Sequence, residues 1–173
     1  MDCDVADLHK FPNTVTVKLQ TLDRVQPIEV DIDIANQLRI VGNMIEDLGI
    51  RDEPIILPNV SSDILKIVIE FCDQYKGNKD VLLRAASPVV TLEMDDWGVS
   101  FMKRHINDLF GVILAADYLE VMALLDLCCK FIVDQVRGMK PKAIREFFRI
   151  ESDWSPEEAL QIMKENGWKE GEF

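Results

Sequence analysis

Histidine is almost absent from this chain: His9 and His105 are the only two among 173 residues. General acid–base chemistry recruits histidine most often, so that route has little to draw on. The spacings CxxC, HExxH, GxxxxGKS/T and GxGxxG do not occur, which leaves zinc, phosphate-loop and dinucleotide sites without support. No apolar run approaches the roughly 18 residues of a membrane-spanning helix. The acidic start MDCDVADLHK has no apolar h-region of the kind a secretory signal carries. Positive charge is also short. Nineteen Lys and Arg stand against 31 Asp and Glu, a formal net charge of -12. No Lys/Arg cluster is read as a local exception, so nucleic acid and anionic membranes are not expected partners.

What is present suits a globular chain that builds its own core: 48% of residues are hydrophobic and 29% charged. The four cysteines, Cys3, Cys72, Cys128 and Cys129, form no disulfide framework. Three fall within apolar helical patterns and read as buried free thiols of a reducing compartment, with cytoplasm, nucleus or both open. His105, near a helix end among charges, reads as solvated. Paired with Cys128 or Cys129 it would be the last nucleophile arrangement left, but a thiol on an apolar stripe is inert because burial raises its pKa. Catalytic, cofactor and metal sites are therefore expected to be absent.

Along the chain, Val15, Val17 and Leu19 alternate with Thr16, Lys18 and Gln20, the period of a half-buried strand. A turn from Leu22 to Pro27 and the alternation Ile28, Val30, Ile32 predict a hairpin. Asp33 is read as the cap of a short helix. The spacing of Val41, Met44, Ile45 and Leu48 predicts a helix that stops at Gly49. Ile55-Ile56-Leu57, closed by Pro58, reads as a third strand. Asp63 reads as the cap of a helix whose core stripe is Ile64, Ile67, Val68 and Phe71. Residues 76–94, with Gly77, Asn78 and Pro88, read as an exposed loop with local extended structure at Val89-Val90. A short helix is expected from Trp97 to Lys103. Asp108 opens an apolar helix through Leu109, Val112, Ile113 and Ala116. The next helix, Val121 to Val136, turns Leu124, Leu125, Cys128 and Ile132 inward and ends at Gly138. Pro141 suits the first turn of a helix carrying Ile144, Phe147 and Phe148. Ser155-Pro156-Glu157-Glu158 has the form of a capping box that starts a last helix, ending at Asn166-Gly167 before Trp168. These last two helices carry more apolar and aromatic surface than such a pair buries by itself.

Several strings then coincide with one known family. Ile113-Leu114-Ala115-Ala116-Asp117-Tyr118-Leu119 resembles ILAANYL. Val17-Lys18-Leu19-Gln20 resembles the first strand, Met44-Ile45-Glu46-Asp47-Leu48-Gly49 the string MLEDLG, and Leu57-Pro58-Asn59-Val60 equals LPNV. Asp153-Trp154-Ser155-Pro156-Glu157-Glu158 resembles DFTPEE, and Lys164-Glu165-Asn166-Gly167-Trp168 resembles KEN.W. Each is short, but their common order from Val15 to Trp168 is specific. The chain resembles the S-phase-kinase-associated adaptor subunits of SCF ubiquitin ligases.

That resemblance implies an α+β fold: a BTB/POZ-like core of a small sheet surrounded by helices, with a C-terminal helical extension. It implies a tail over 1–14, a cullin-binding core over 15–137 and an F-box-binding extension over 138–173. The implied contact residues are Asp117 and Tyr118 for the cullin N-terminal domain. For F-box proteins they are Ile144, Phe148, Ile150, Trp154, Asn166 and Trp168. The implied role is a non-enzymatic adaptor without cofactors in cytoplasm and nucleus; weak self-association of the free protein stays open. Three departures from the family's strings stand out. Asp117 replaces an asparagine. A mostly apolar stretch from Val81 to Leu92 replaces an acidic loop. The helix start Lys140-Pro141-Lys142-Ala143-Ile144-Arg145 has lost two acids. The first departure motivates an alternative, an F-box partner acting as a structural subunit outside cullin ligases. An elongin-C-like adaptor fits less well, because that group lacks the C-terminal extension.

Overall fold

A computed structural model describes residues 15–77 and 94–169. The reading of a loop with extended structure at Val89-Val90 lies, for 78–93, outside the described residues, as do His9 and Cys3. The architecture is α+β. Strand β1 (Thr16–Thr21) lies in the middle of a three-stranded sheet, antiparallel to β2 (Ile28–Asp31) and parallel to β3 (Ile55–Leu57). Val17 pairs with Val30 and Leu19 with Ile28 and Ile55. The alternation predicted for β1 holds at Val17 and Leu19 and continues to Thr21, all buried, but Val15 lies before the strand and is 45% exposed. Parallel pairing cannot be closed by a tight turn. The chain instead crosses over through helices α1 (Ile32–Ala35) and α2 (Arg39–Leu48) before entering β3.

Two helix starts differ from the sequence reading. The cap of α1 is Asp31, whose carboxylate accepts from the Asp33 amide at 2.9 Å. Ile32, expected in the strand, is already the first helical residue, so the capping position falls one residue before it. Helix α3 (Ser62–Gln74) has Ser61 at its N-cap and no side-chain bond from it. Its free amide is satisfied from elsewhere: the Asp23 carboxylate, on the β1–β2 turn, accepts from Ser62 N at 2.9 Å and from Ser62 Oγ at 2.9 Å. The Ser62 amide is the largest cause holding the Asp23 carboxyl down at about 2. Asp63, expected to cap, instead accepts from Lys66 one turn on.

The core is built where α3 meets α4 (Asp96–Arg104) and α5 (Leu109–Tyr118). Trp97 stacks on Phe101 with centroids 4.8 Å apart, and Phe101 lies 6.0 Å from Phe71. Tyr75 donates its hydroxyl to Asp95, which also caps α4 by accepting from the Gly98 amide at 2.7 Å. Burial, then the Asp95 charge, pushes the Tyr75 phenol up to about 12. A Cβ at Gly111 of α5 would stand 2.9 Å from Ile64 Cδ1, so the glycine lets α3 approach closely.

Helix α6 (Met122–Val136) buries Ala123, Leu124, Leu127, Cys128 and Phe131. The predicted inward set is thus corrected: Leu125 and Ile132 are only half-buried. Cys129 is exposed, beside a Cys128 that is fully buried. Consecutive helical residues point about 100° apart, so one stripe cannot hide both. His105 is also not the solvated residue expected. Its side chain is 20% exposed, its ring packs 4.9 Å from that of Phe101, and its Nε2 lies 3.3 Å from Glu70.

The chain divides into two compact units, Met1–Cys129 and Lys130–Phe173. That division falls inside α6, whereas the sequence reading divides the chain at 137/138. The second unit holds the end of α6 and helices α7 (Pro141–Phe148) and α8 (Pro156–Asn166).

Candidate functional sites

In the first unit, the candidate contact residues Asp117 and Tyr118 close α5. The helix ends in a Schellman motif: the Glu120 amide donates to Asp117 O at 3.1 Å and the Val121 amide to Ala116 O at 2.8 Å. Glu120 takes the left-handed conformation this needs (φ 55°) and Val121 is buried behind it. The motif anchors the last turn and leaves the Asp117 side chain exposed and that of Tyr118 half-buried.

Helix α5 is apolar on all sides. Leu109, Val112, Ala115 and Ala116 are buried, yet Phe110 is 41% exposed and Leu114 70% exposed. Spacings of three and four put Phe110, Leu114 and Asp117 on one face of the helix. Phe110 and Leu114 were not singled out from the sequence as site residues. The available signal was the lack of any polar face to α5, since a helix that is apolar all round has more than one surface to cover.

In the second unit, α7 and α8 contain no buried residue. Both begin with proline in the first turn, as read from the sequence. The capping box is formed: the Ser155 amide donates to Glu158 Oε2 at 2.9 Å, and the Glu158 amide donates to Ser155 Oγ at 3.3 Å. The Ser155 amide holds the Glu158 carboxyl below its ordinary value.

Both helices also end in Schellman motifs. After α7, Arg149 N donates to Glu146 O and Ile150 N to Arg145 O at 2.9 Å, with Arg149 left-handed. After α8, Gly167 N donates to Lys164 O and Trp168 N to Met163 O at 3.0 Å. Gly167 has the φ of +66° that the turn requires. Ile150 and Trp168, two of the six candidate F-box contacts, therefore occupy equivalent places: each is the residue that folds back over the end of its helix.

A groove of about 360 Å³ runs beside α7. It gathers Pro141, Ile144, Ile150 and Trp154, so it brings together three of the six candidates. Ile150 is 57% and Trp154 42% exposed. The Arg145 guanidinium lies 5.5 Å from the Trp154 ring centroid and steadies it. Phe148, in edge contact with Phe147, Asn166 and Trp168 are not among the groove's residues. The Asn166 amide donates back to Ile162 O within α8. Among the described residues no group of three or more His, Cys, Asp and Glu side chains is placed to hold a metal ion. No helix of the described residues is long and apolar enough to cross a membrane.

Comparison with known proteins places this geometry. The family model described as Skp1 family, tetramerisation domain, matches residues 15–77, the strands and helices up to the end of α3. The model described as Skp1 family, dimerisation domain, matches residues 122–169, from the start of α6 through Lys169. The chain belongs to the Skp1 family. Among its relatives is the E3 ubiquitin ligase complex SCF subunit sconC of Neosartorya fischeri, 42% identical over 156 residues, covering 90% of this chain and 98% of the relative. The protein of the same description from Talaromyces stipitatus is 40% identical over 160 residues, covering 89% and 96%. That from Arthroderma benhamiae is 40% identical over 166 residues, covering 91% and 98%. In this Skp1-family chain the α7 groove lies wholly inside a matched segment, whereas α5, with Asp117 and Tyr118, lies between the two.

Proposed function

We propose that this protein is a non-catalytic adaptor that links F-box substrate receptors to a cullin scaffold in an SCF-type ubiquitin ligase. One observation carries the reading within the family frame. Helices α7 and α8 bury none of their own residues, and Ile144 of α7, with Ile150 and Trp154 of the link that follows it, lines an open groove. Exposed aromatic and aliphatic anchors in a pocket are what a partner interface needs at its centre. Ile144, Phe148, Ile150, Trp154, Asn166 and Trp168 would meet the F-box. Tyr118 and Asp117 would meet the cullin, together with the exposed Phe110 and Leu114 on the same helix. The two buried thiols offer no nucleophile, because burial pushes Cys72 and Cys128 up to about 12. The adaptor's contribution is geometric. Two interfaces on one chain hold a substrate receptor near the cullin-bound machinery and raise the effective concentration of its substrate. Cytoplasm and nucleus are the compartments this role assigns.

The test is a pull-down with purified F-box domain and, separately, cullin N-terminal domain. Both are expected to bind, and to be retained together. Tyr118→Lys should weaken cullin binding by about 30-fold, the loss of an interface anchor worth about 2 kcal/mol, and leave F-box binding intact. Unchanged cullin affinity in a folded Tyr118→Lys protein would sink the α5 assignment. The exposed carboxylate at Asp117 favours a second reading, an F-box partner in an assembly without cullin. Tight F-box binding with no cullin binding in concentrated mixtures would select it.

A further inference from the structure

The apolar stripe of α2 is left largely uncovered by the described residues. Val41, Met44, Ile45 and Leu48 share one side of the helix, yet Val41 is its only buried residue. Met44 and Leu48 are exposed, as is Ile56 of the edge strand β3. Between them, within the first unit, lies a groove of about 310 Å³ that Val17 of β1 and Ile55 also line. Its charged lining is one residue of each sign, Arg51 and Glu53, and Arg51 Nε is occupied in donating to Leu48 O at 3.2 Å. A small-molecule site needs several convergent polar groups, so the groove suits an apolar stretch of polypeptide. The start of β1 runs beside it: Lys18 Nζ donates to Asp52 O at 3.5 Å. Fourteen residues precede Val15, and Leu8, Phe11 and Pro12 lie within seven positions of it. Phe11 is six residues before Val17, a reach of about 20 Å at about 3.3 Å per residue. The stripe from Val41 to Leu48 is only about 10 Å long at about 1.5 Å per residue.

We infer that this groove is covered by the chain's own N-terminal segment, with Leu8 and Phe11 seated against Met44, Leu48 and Ile56. Tethering favours this occupant. A short link holds the segment at an effective concentration in the mM range, so contacts too weak to hold a free peptide are sufficient. The stretch 78–93 is flanked by Gly77 and Met94, and neither lines the groove, whereas Val17 does. A separate charged partner gains no net steering from Arg51 and Glu53, which oppose each other. The cover also has a physical purpose. It shields the edge strand β3, which an open sheet otherwise presents to pairing with another chain. The inference is independent of the adaptor reading, because the groove shares no residue with α5 or α7.

The test is hydroxyl-radical footprinting of the full chain and of its Leu8→Ser/Phe11→Ser variant, read residue by residue by mass spectrometry. With an effective concentration of about 3 mM and a free-peptide Kd of about 1 mM, about three-quarters of wild-type molecules are covered. Met44, Leu48 and Ile56 should then react about 4-fold more slowly in the wild type than in the variant. Leu114, exposed on α5, should react equally in both. Both substitutions precede the first strand, and equal melting temperatures check that the fold is kept. In the reverse direction Leu48→Ser, at an exposed position, should raise the reactivity of Phe11. The protection should be the same at about 1 µM and about 100 µM protein, both far below the effective concentration of the tethered segment. Protection seen only at the higher concentration assigns the groove to a second copy of the chain and overturns the inference. Equal reactivity of Met44, Leu48 and Ile56 in wild type and variant at both concentrations also overturns it and leaves the groove to a separate partner. A Phe11 as reactive in the wild type as in Leu48→Ser overturns the seating of that ring.

Discussion

The thiols of this protein divide sharply, and the division can be measured. In a Cys3→Ser variant three cysteines remain, Cys72, Cys128 and Cys129. Cys72 and Cys128 are fully buried. Their thiols are pushed up to about 12, burial being the leading cause in both. At pH 8 a thiol with such a pKa is thiolate in roughly one molecule in 10⁴, whereas an unperturbed cysteine with pKa near 8.5 is about one-quarter ionised. Ionisation alone therefore slows the closed state by about 10³-fold, before the lack of access is counted. The alternative route is reaction after opening. It restores an ordinary thiol but is limited by the open population, below about 10⁻³ for a domain stable by 5 kcal/mol or more. Either way Cys72 and Cys128 should trail the exposed Cys129 by about 10³-fold or more. The assay is titration with an aromatic disulfide reagent at pH 8. One equivalent should be released promptly and two more slowly, with all three prompt in 6 M guanidinium. Cys129→Ser should remove the fast phase. Two or three equally fast thiols in the native protein would refute the placement of Cys72 and Cys128 in the core.

Two further expectations follow from the first unit. Phe101, fully buried and stacked on Trp97, should cost about 3–5 kcal/mol when truncated to alanine and markedly less as Phe101→Leu. Chemical denaturation measures both, and a loss below about 1 kcal/mol for Phe101→Ala would show that the aromatic cluster does not hold the core. Asp23 is held at about 2 against an ordinary value of 3.8 by its bonds to Ser62. Because its folded pKa is the lower one, it stabilises the protein above pH 4, and that stabilisation is lost as pH falls from about 4 to 2. Asp23→Asn should flatten the fall in melting temperature over that window; an unchanged acid limb would show that the carboxylate does not cap α3.

Local features were read well from local signals. The alternation of β1, the glycine stop after α2, the proline starts of α7 and α8, and the Ser155–Glu158 box all rest on residues within a few positions of one another, where backbone geometry allows one main solution. Readings that depended on distant partners went astray. The cap of α3 comes from Asp23, 39 residues away from Ser62, and no spacing rule points to it. His105 is withdrawn from solvent by Glu70, 35 residues earlier, and by Phe101. Cys129 sits on the outer side of a helix whose inner side holds Cys128, a distinction set by rotation within α6.

The candidate sites divide the same way. Family strings in the sequence named Tyr118, Ile144, Ile150 and Trp154 as contact residues, and local capping rules placed the helices that carry them. Which apolar residues stay uncovered was a tertiary outcome. Helix α5 offers apolar side chains on every side, and only packing against α3 through Gly111 decides that Val112 goes in while Leu114 stays out. Helix α7 collects its groove only because left-handed Arg149 folds Ile150 back toward Arg145. The sequence by itself determined the fold class, the glycine stops and proline starts of several helices, and the family, because these are encoded in short-range patterns and their order. The tertiary structure decided the exposed faces, since exposure is what remains after long-range packing has used the rest of the apolar surface.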